Sequence, residues 1–159
     1  MSWYAAKVYY NKIQPLADEL QNAGKECFVP PADIIKSLLF VNCDEKYIRA
    51  YQRAHYQHLR LYSDLLTGTP SVISDKEMEL FRFVTTSGEE GLLYLGDDKP
   101  EYHCGDLVRV TDGPFKGAIG HIKRIKKDRR LIITISGIAA VATTYIHPDF
   151  LETVEEQER

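Results

Sequence analysis

The sequence predicts an α+β chain: a ferredoxin-like antiparallel sheet with helices packed on it, followed by a small all-β barrel. Three observations predict it. Up to residue 85 the strand and helix signals alternate in the order β-α-β-β-α-β-α. Residues 86–101 then loosen into a stretch with three glycines, one proline and five acids, and after it every signal is a strand. Charge divides the same way. Residues 1–98 hold 10 Lys/Arg against 14 Asp/Glu (−4), while residues 102–151 hold 8 against 4 (+4). The expected organisation is a first domain at 1–85, a linker at 86–101, a second domain at 102–154 and an acidic tail at 155–159.

Each element has a local reason. "WYAAKVYY" (3–10) is aromatic and β-prone and reads as the first strand. Asn11 is placed to cap a helix, with Gln14 completing a capping box. Leu16, Ala17, Leu20 and Ala23 recur at helical spacing, and Gly24 stops the run. "ECFVP" is a short strand ended by Pro30-Pro31. "IIKSLLFVNC" (34–43) is apolar enough to be central in a sheet. Asp44 caps the next helix, "EKYIRAYQRAHYQ". "HLRLYSDLL" returns extended, and Gly68-Thr69-Pro70 turns the chain. Ser74-Asp75-Lys76-Glu77 is a capping box with Ile73 and Met78 placed as a staple, and the helix continues through Leu80, Phe81 and Val84.

The linker holds one short strand signal, Leu92–Leu95. Beyond it, Val108 and Val110 share a face, as do Leu131, Ile133 and Ile135, and "AAVATTYI" closes the β-rich run. In "GDLVRVTDGPFKGAIGHIKRI" (105–125), Gly105-Asp106 leads into a strand and Asp112-Gly113-Pro114 is a turn. Gly117 and Gly120 permit a bend and close backbone approach. Most of this stretch is therefore scaffold, with Phe115 its one expected exposed side chain.

The 159 residues are 44% hydrophobic and 27% charged, with a net charge of −3, an ordinary globular balance. No apolar run nears the length of a membrane span, and Met1-Ser2-Trp3-Tyr4 is not a signal-peptide start. A cytoplasmic protein with no membrane partner is expected, and it reads as a monomer. Cys27, Cys43 and Cys104 are odd in number and lack C-x-x-C spacing, so they read as small buried thiols.

His55 and His58 have no third ligand at fitting spacing. His103 and Cys104 are neighbours on an extended chain, point to opposite faces and cannot form a nucleophile–base pair. No phosphate loop, dinucleotide fingerprint, HExxH or nucleophile elbow occurs. The chain is read as a binding protein, without a catalytic site, cofactor or metal.

Two stretches carry candidate contacts. In "YIRAYQRAHYQHLR", Tyr47 and Tyr51 stack at i,i+4, as do Arg49 and Arg53. Paired arginines without nearby acids suit an external anion, while the tyrosines equally suit cover for the core. In "HIKRIKKDRR", Lys123, Arg124, Lys126, Lys127, Arg129 and Arg130 suit either a soluble hairpin tip or phosphate contact.

"WYAAKVYY", "CFVP", "LLFV" and above all "GDLVRVTDGPFKGAIGHIKRI…RRLIITISG" closely resemble NusG-type transcription factors. The first domain resembles their N-terminal domain, and the second their SH3-like KOW barrel. "GIAAVATTYIHPDFLE" is more similar to the specialised RfaH- and UpxY-type antiterminators. The resemblance implies binding to the clamp helices of RNA polymerase, suppression of pausing, and recruitment of a ribosomal protein or Rho by the KOW domain. Long operons, often for surface polysaccharides, are the targets it implies.

Three positions depart from the family. Ile35-Lys36-Ser37-Leu38 stands where relatives have an aromatic-Pro-Gly-Tyr stretch, Arg49-Ala50-Tyr51 replaces a His-Thr-Thr run, and Ser136-Gly137-Ile138 replaces Phe-Gly-Arg. The last change speaks against Rho binding of the housekeeping kind. The expected polymerase contacts are Tyr9, Ile35, Leu38, Phe40, Tyr47, Arg49 and Tyr51. The expected KOW partner contacts are Phe115, Ile135, Ser136 and Ile138. A KOW-type RNA- or ribosome-binding module without polymerase contact is the alternative.

Overall fold

The structure, a computed structural model, describes residues 1–155. Beyond Glu155 the expected acidic tail lies outside the described residues. The chain divides into two compact units, Met1–Met78 and a second from Glu79 onward. The division falls ahead of the expected boundary at 85, inside a helix, whose periodicity does not mark which unit each residue joins.

The first unit contains β1 (Ser2–Val8), α1 (Ile13–Asn22), β2 (Glu26–Phe28), β3 (Leu38–Cys43), α2 (Glu45–Ala54) and β4 (Leu59–Leu61), and α3 (Asp75–Thr85) begins in it. The four strands lie in the order β2-β3-β1-β4, every neighbour antiparallel. This is the ferredoxin-like order. Ser2 pairs with Cys43 and the register runs to Lys7 with Leu38. Period-2 alternation sends Tyr4, Ala6 and Val8 of β1, with Leu39, Val41 and Cys43 of β3, to one face. Leu16, Ala17 and Leu20 of α1 and Ile48 and Tyr51 of α2 join them in one core cluster. Burying each larger aliphatic side chain contributes roughly 1.5–3 kcal/mol.

Local chemistry departs from expectation at four points, the first being Asp44, which holds the cap position of α2 but makes no side-chain cap bond. The helix expected to be capped by Asn11 starts at Ile13, with Lys12 at the cap position and no side-chain cap bond. Tyr10 and Asn11 instead take φ of 59° and 56°, so the Asn11 side chain is turned away from a capping role. β3 begins only at Leu38, because Ile34 and Ile35 N–H donate to the Pro31 carbonyl (2.9 and 3.0 Å) in a turn after the proline pair. β4 is three residues long, after which Ser63 and Pro70 bridge a tight loop. The Ser74 cap forms: its Oγ accepts from Glu77 N–H (3.1 Å) and donates to the Glu77 carboxylate (3.2 Å). Ile73 and Met78 beside it are both buried.

The second unit holds the rest of α3 and one antiparallel sheet in the order β10-β6-β7-β8-β9-β5. Its strands are β5 (Leu93–Gly96), β6 (Leu107–Val110), β7 (Ile119–Ile125), β8 (Asp128–Ile135), β9 (Ala139–Tyr145) and β10 (Leu151–Thr153). The stretch expected as a linker is partly structural. Its strand β5 pairs with β9, Leu93 opposite Ala142. Leu93, Leu95 and Tyr102 pack with Ile132, Ala140 and Ala142. The glycines and acids that made 86–101 look loose flank a short apolar strand that can pair only once the barrel edge exists.

Gly120 is the tightest point of this sheet. A Cβ there would meet the Ile132 carbonyl oxygen, so only glycine fits. Gly113 takes φ 86° in the turn predicted for it.

Candidate functional site

In the first unit, an exposed aromatic cluster forms where β1 ends. Tyr9 N–H donates to the His58 carbonyl (2.9 Å), bringing the end of β1 beside the segment before β4. The Tyr9 and Tyr10 ring centroids are 6.5 Å apart, Tyr10 meets the His58 ring edge-on at 6.1 Å, and Lys7 Nζ lies 5.9 Å from the Tyr9 ring. Tyr10 is 78% exposed and Tyr9 39%. Adjacent residues of a continuing strand would point to opposite faces. The positive φ at Tyr10 ends the strand and keeps both rings at the surface.

A second exposed feature is the loop from Tyr62 to Ser71. Asp64 Oδ1 accepts from Leu66 N–H (2.7 Å) and Thr67 N–H (3.2 Å), and its carbonyl accepts from Gly68 N–H (2.8 Å). This ties down the loop backbone while leaving Leu65 and Leu66 100% and 96% exposed. Sequence reading missed Tyr10, His58, Leu65 and Leu66. "DLLTG" carried a signal, since Asp followed closely by Gly marks a turn with two leucines inside it.

Several of the residues expected to make contacts are buried. Ile35, Leu38 and Phe40, expected as polymerase anchors, are at most 1% exposed, and the Phe28 ring tilts on Phe40 at 6.0 Å. The same hydrophobicity that suggested an interface is satisfied inside the fold. Tyr51 is buried and its ring stacks 4.0 Å from His55; Tyr47 packs at the core margin under Lys25 (4.4 Å). Burial raises the pKa of both phenols, with the Glu19 charge adding to it. Tyr51 thus covers the core, while Tyr47 is half-buried at its margin. Arg49 is not acid-free, for its Nε lies 3.0 Å from the Glu45 carboxylate one turn back. Tyr9 alone of the seven combines exposure with aromatic neighbours.

His55 binds the Tyr51 carbonyl (2.9 Å) and lies 3.3 Å from Glu19, while His58 falls beyond the end of α2. Among the described residues no group of three or more His, Cys, Asp or Glu is placed to hold a metal. Burial pushes the Cys27 and Cys43 thiols up to about 11. Cys104 is exposed, correcting its expected burial; it follows a short 3-10 helix, Pro100–His103, on the rim of the unit.

In the second unit, Phe115 is buried, contrary to expectation. Its turn is closed by Lys116 N–H to Gly113 O (3.1 Å) and Ala118 N–H to Phe115 O (3.0 Å), which folds the ring inward. Ile135 and Ile138 are also buried, so Ser136 is the exposed member of that set. The turn bearing it is clamped: the Asp98 carboxylate accepts from Gly137 N–H (2.9 Å) and lies 2.8 Å from His103 Nε2. The six basic residues do form a hairpin, β7 to β8. Arg130 is consumed by structure, donating to the Gly91 (2.9 Å) and Thr143 (3.3 Å) carbonyls. Lys123 lies 4.0 Å from Glu101, whereas Arg124, Lys126, Lys127 and Arg129 are exposed.

Within this sheet, residues 104–135, from just before β6 to the end of β8, match the family model of the KOW motif. The second unit carries a KOW motif. Across the whole chain, the structure is similar to Thermotoga maritima NusG, in a structure describing domain interaction in that protein. The identity is 18%, the TM-score 0.52, and 97% of each chain is covered. That likeness is one of fold, and it spans both units. A structure of the MjSpt4:Spt5 complex also aligns, at 13% identity and a TM-score of 0.32, over 96% of this chain and 98% of that one. No curated protein matches in sequence. No helix among the described residues is long and apolar enough to cross a membrane.

Proposed function

We propose that this protein is a NusG-like transcription elongation factor that binds RNA polymerase through residues 1–85 and recruits a second protein through the KOW barrel. The carrying observation is the order of parts: a NusG-like fold over the full length, with the KOW motif in its second unit. The role is binding and not catalysis. The specialised antitermination branch, serving long operons, is the finer reading. It rests on "GIAAVATTYIHPDFLE" and on Ser136-Gly137-Ile138 in place of Phe-Gly-Arg.

The exposed aromatic cluster supplies the polymerase contact in this reading. Interfaces draw most of their affinity from a few aromatic anchors, and Tyr9 and Tyr10 are available where Ile35, Leu38 and Phe40 are not. A pull-down with purified RNA polymerase tests it. Wild type should be retained, and Tyr9→Ala plus Tyr10→Ala should weaken retention at least tenfold with an unchanged far-UV spectrum. Failure of the wild-type chain to bind polymerase, with tight binding to ribosomes, would establish the alternative.

A further inference from the structure

The outermost strand of the second sheet is a poor match for the site it fills. β9 is seven residues long, and Ala139 to Thr143 are all buried. β5 beside it is four residues long, half-buried throughout, and pairs only with Ala140, Val141 and Ala142. Its register slips between Tyr94 and Gly96, and Gly91 ahead of it and Gly96 at its end both take φ of 86°. Two polar bonds at exposed positions fasten its ends. Arg130 Nη1 donates to the Gly91 carbonyl (2.9 Å), and Gly137 N–H donates to the Asp98 carboxylate (2.9 Å). Leu93 and Leu95, on one face, rest with Tyr102 on Ile132, Ala140 and Ala142. Asp98 is 6% exposed and ties this segment to the turn that carries the exposed Ser136. One short segment thus covers both the β9 edge and that turn. Lifting it away would leave β9 as an edge whose backbone N–H and C=O groups need a new strand.

We propose that the β9 edge is a docking site for an extended segment of a partner protein, and that β5 is the chain's own stand-in, which closes it. The inference deepens the reading of the barrel as a recruiting unit and rests on it. The stand-in records what the partner must carry. Leu93 and Leu95 set two aliphatic side chains at alternate positions, against the small Ala140 and Ala142. Asp98, three residues on, sets a carboxylate against Gly137 N–H. The partner segment therefore has the form aliphatic-x-aliphatic-x-x-acid. It binds as a strand and not as a helix, because the groups left unmet at the edge are those of a strand's backbone. A segment in regular register can pair with more of β9 than β5 does. That extra ladder is what lets it displace a rival whose tether gives it a high effective concentration.

The test uses the full chain and a fluorescent synthetic peptide of residues 89–99, Glu-Glu-Gly-Leu-Leu-Tyr-Leu-Gly-Asp-Asp-Lys, supplied in trans. Tyr94→Pro breaks β5, because proline is not tolerated inside a ladder, and it lies outside β6–β10. This variant should bind the peptide about tenfold more tightly than wild type, whose own strand competes. Asp98→Ala, which cuts the tie to Gly137, should shift affinity the same way by about threefold. A peptide carrying Asp98→Asn should bind the Tyr94→Pro chain about fivefold more weakly than the unaltered peptide. Hydrogen exchange gives the second readout: in both chain variants the β9 amides should lose protection while those of β7 and β8 keep it. No gain in peptide binding by either variant overturns the proposal. So does loss of protection throughout the barrel in both, which would make β5 an integral part of the fold. The peptide reports on the edge independently of polymerase retention, so failure here and failure of the wider reading are distinguishable.

Discussion

The two exposed tips, one in each unit, are opposite in chemistry and opposite in how they are held. The loop around Leu65 and Leu66 is apolar at its surface, and its backbone is fixed by hydrogen bonds to Asp64. The tip around Lys126 and Lys127 is cationic, and its backbone adopts a conformation its residues disfavour. One tip is locally satisfied and presents groups that water rejects. The other presents groups that water accepts, on a turn that is locally strained. Neither arrangement is what stability alone would select.

The largest expected effect addresses the base of the cationic hairpin. Gly120→Ala drives a Cβ into the Ile132 carbonyl and should lower stability by about 3 kcal/mol, read as a drop in the denaturant midpoint. A neutral outcome would mean that β7 and β8 can separate there, and that the hairpin is less rigid than its partner tip. Next, Asp64→Ala removes the acceptor for two backbone N–H groups and should destabilise by about 1–2 kcal/mol. It should also expose Leu65–Gly68 to limited proteolysis. Resistance to cleavage would show that the apolar tip is held by something other than Asp64.

A pH experiment separates core from tip. Cys27 and Cys43 have folded-state pKa values raised from 9.0 to about 11 by burial. The neutral thiol is the folded form, so their contribution is complete below pH 9 and is lost as pH rises through about 11. Thermal stability should fall across that window, and Cys27→Ala plus Cys43→Ala should flatten the fall. The exposed Cys104 should react first with a thiol reagent in the native protein, the half-buried Cys27 more slowly, and the buried Cys43 only on unfolding. The smallest effect concerns the leucines. Leu65→Ser plus Leu66→Ser should change stability by no more than about 0.5 kcal/mol, because both side chains are already in water. A larger loss would show that they pack in solution and would remove the contrast between the tips.

Element type and order were legible in the sequence. The capping box at Ser74, the periodic run Leu16-Ala17-Leu20 and the alternation in β1 are local signals that packing then reinforced. The strand β5 was faint, because four residues between glycines and acids acquire meaning only beside β9. The candidate contacts were least legible. Ile35, Leu38, Phe40 and Phe115 are apolar, and composition cannot distinguish an apolar residue that meets a partner from one that meets its own core. Arg49 looked unpaired until the helix brought Glu45 within 3.0 Å, although the i,i+4 spacing was visible beforehand.

The sequence by itself determined the α+β class, the order of helices and strands, the KOW stretch and the accumulation of positive charge between 123 and 130. These depend on short-range periodicity, turn chemistry and charge, all written along the chain. Only the tertiary structure decided which apolar side chains are core, that Arg130 is spent on the Gly91 and Thr143 carbonyls, and that two lysines occupy a turn fit for Asn-Gly. Burial, cross-strand register and backbone φ arise from residues far apart in sequence meeting at one place, and no local pattern encodes that meeting.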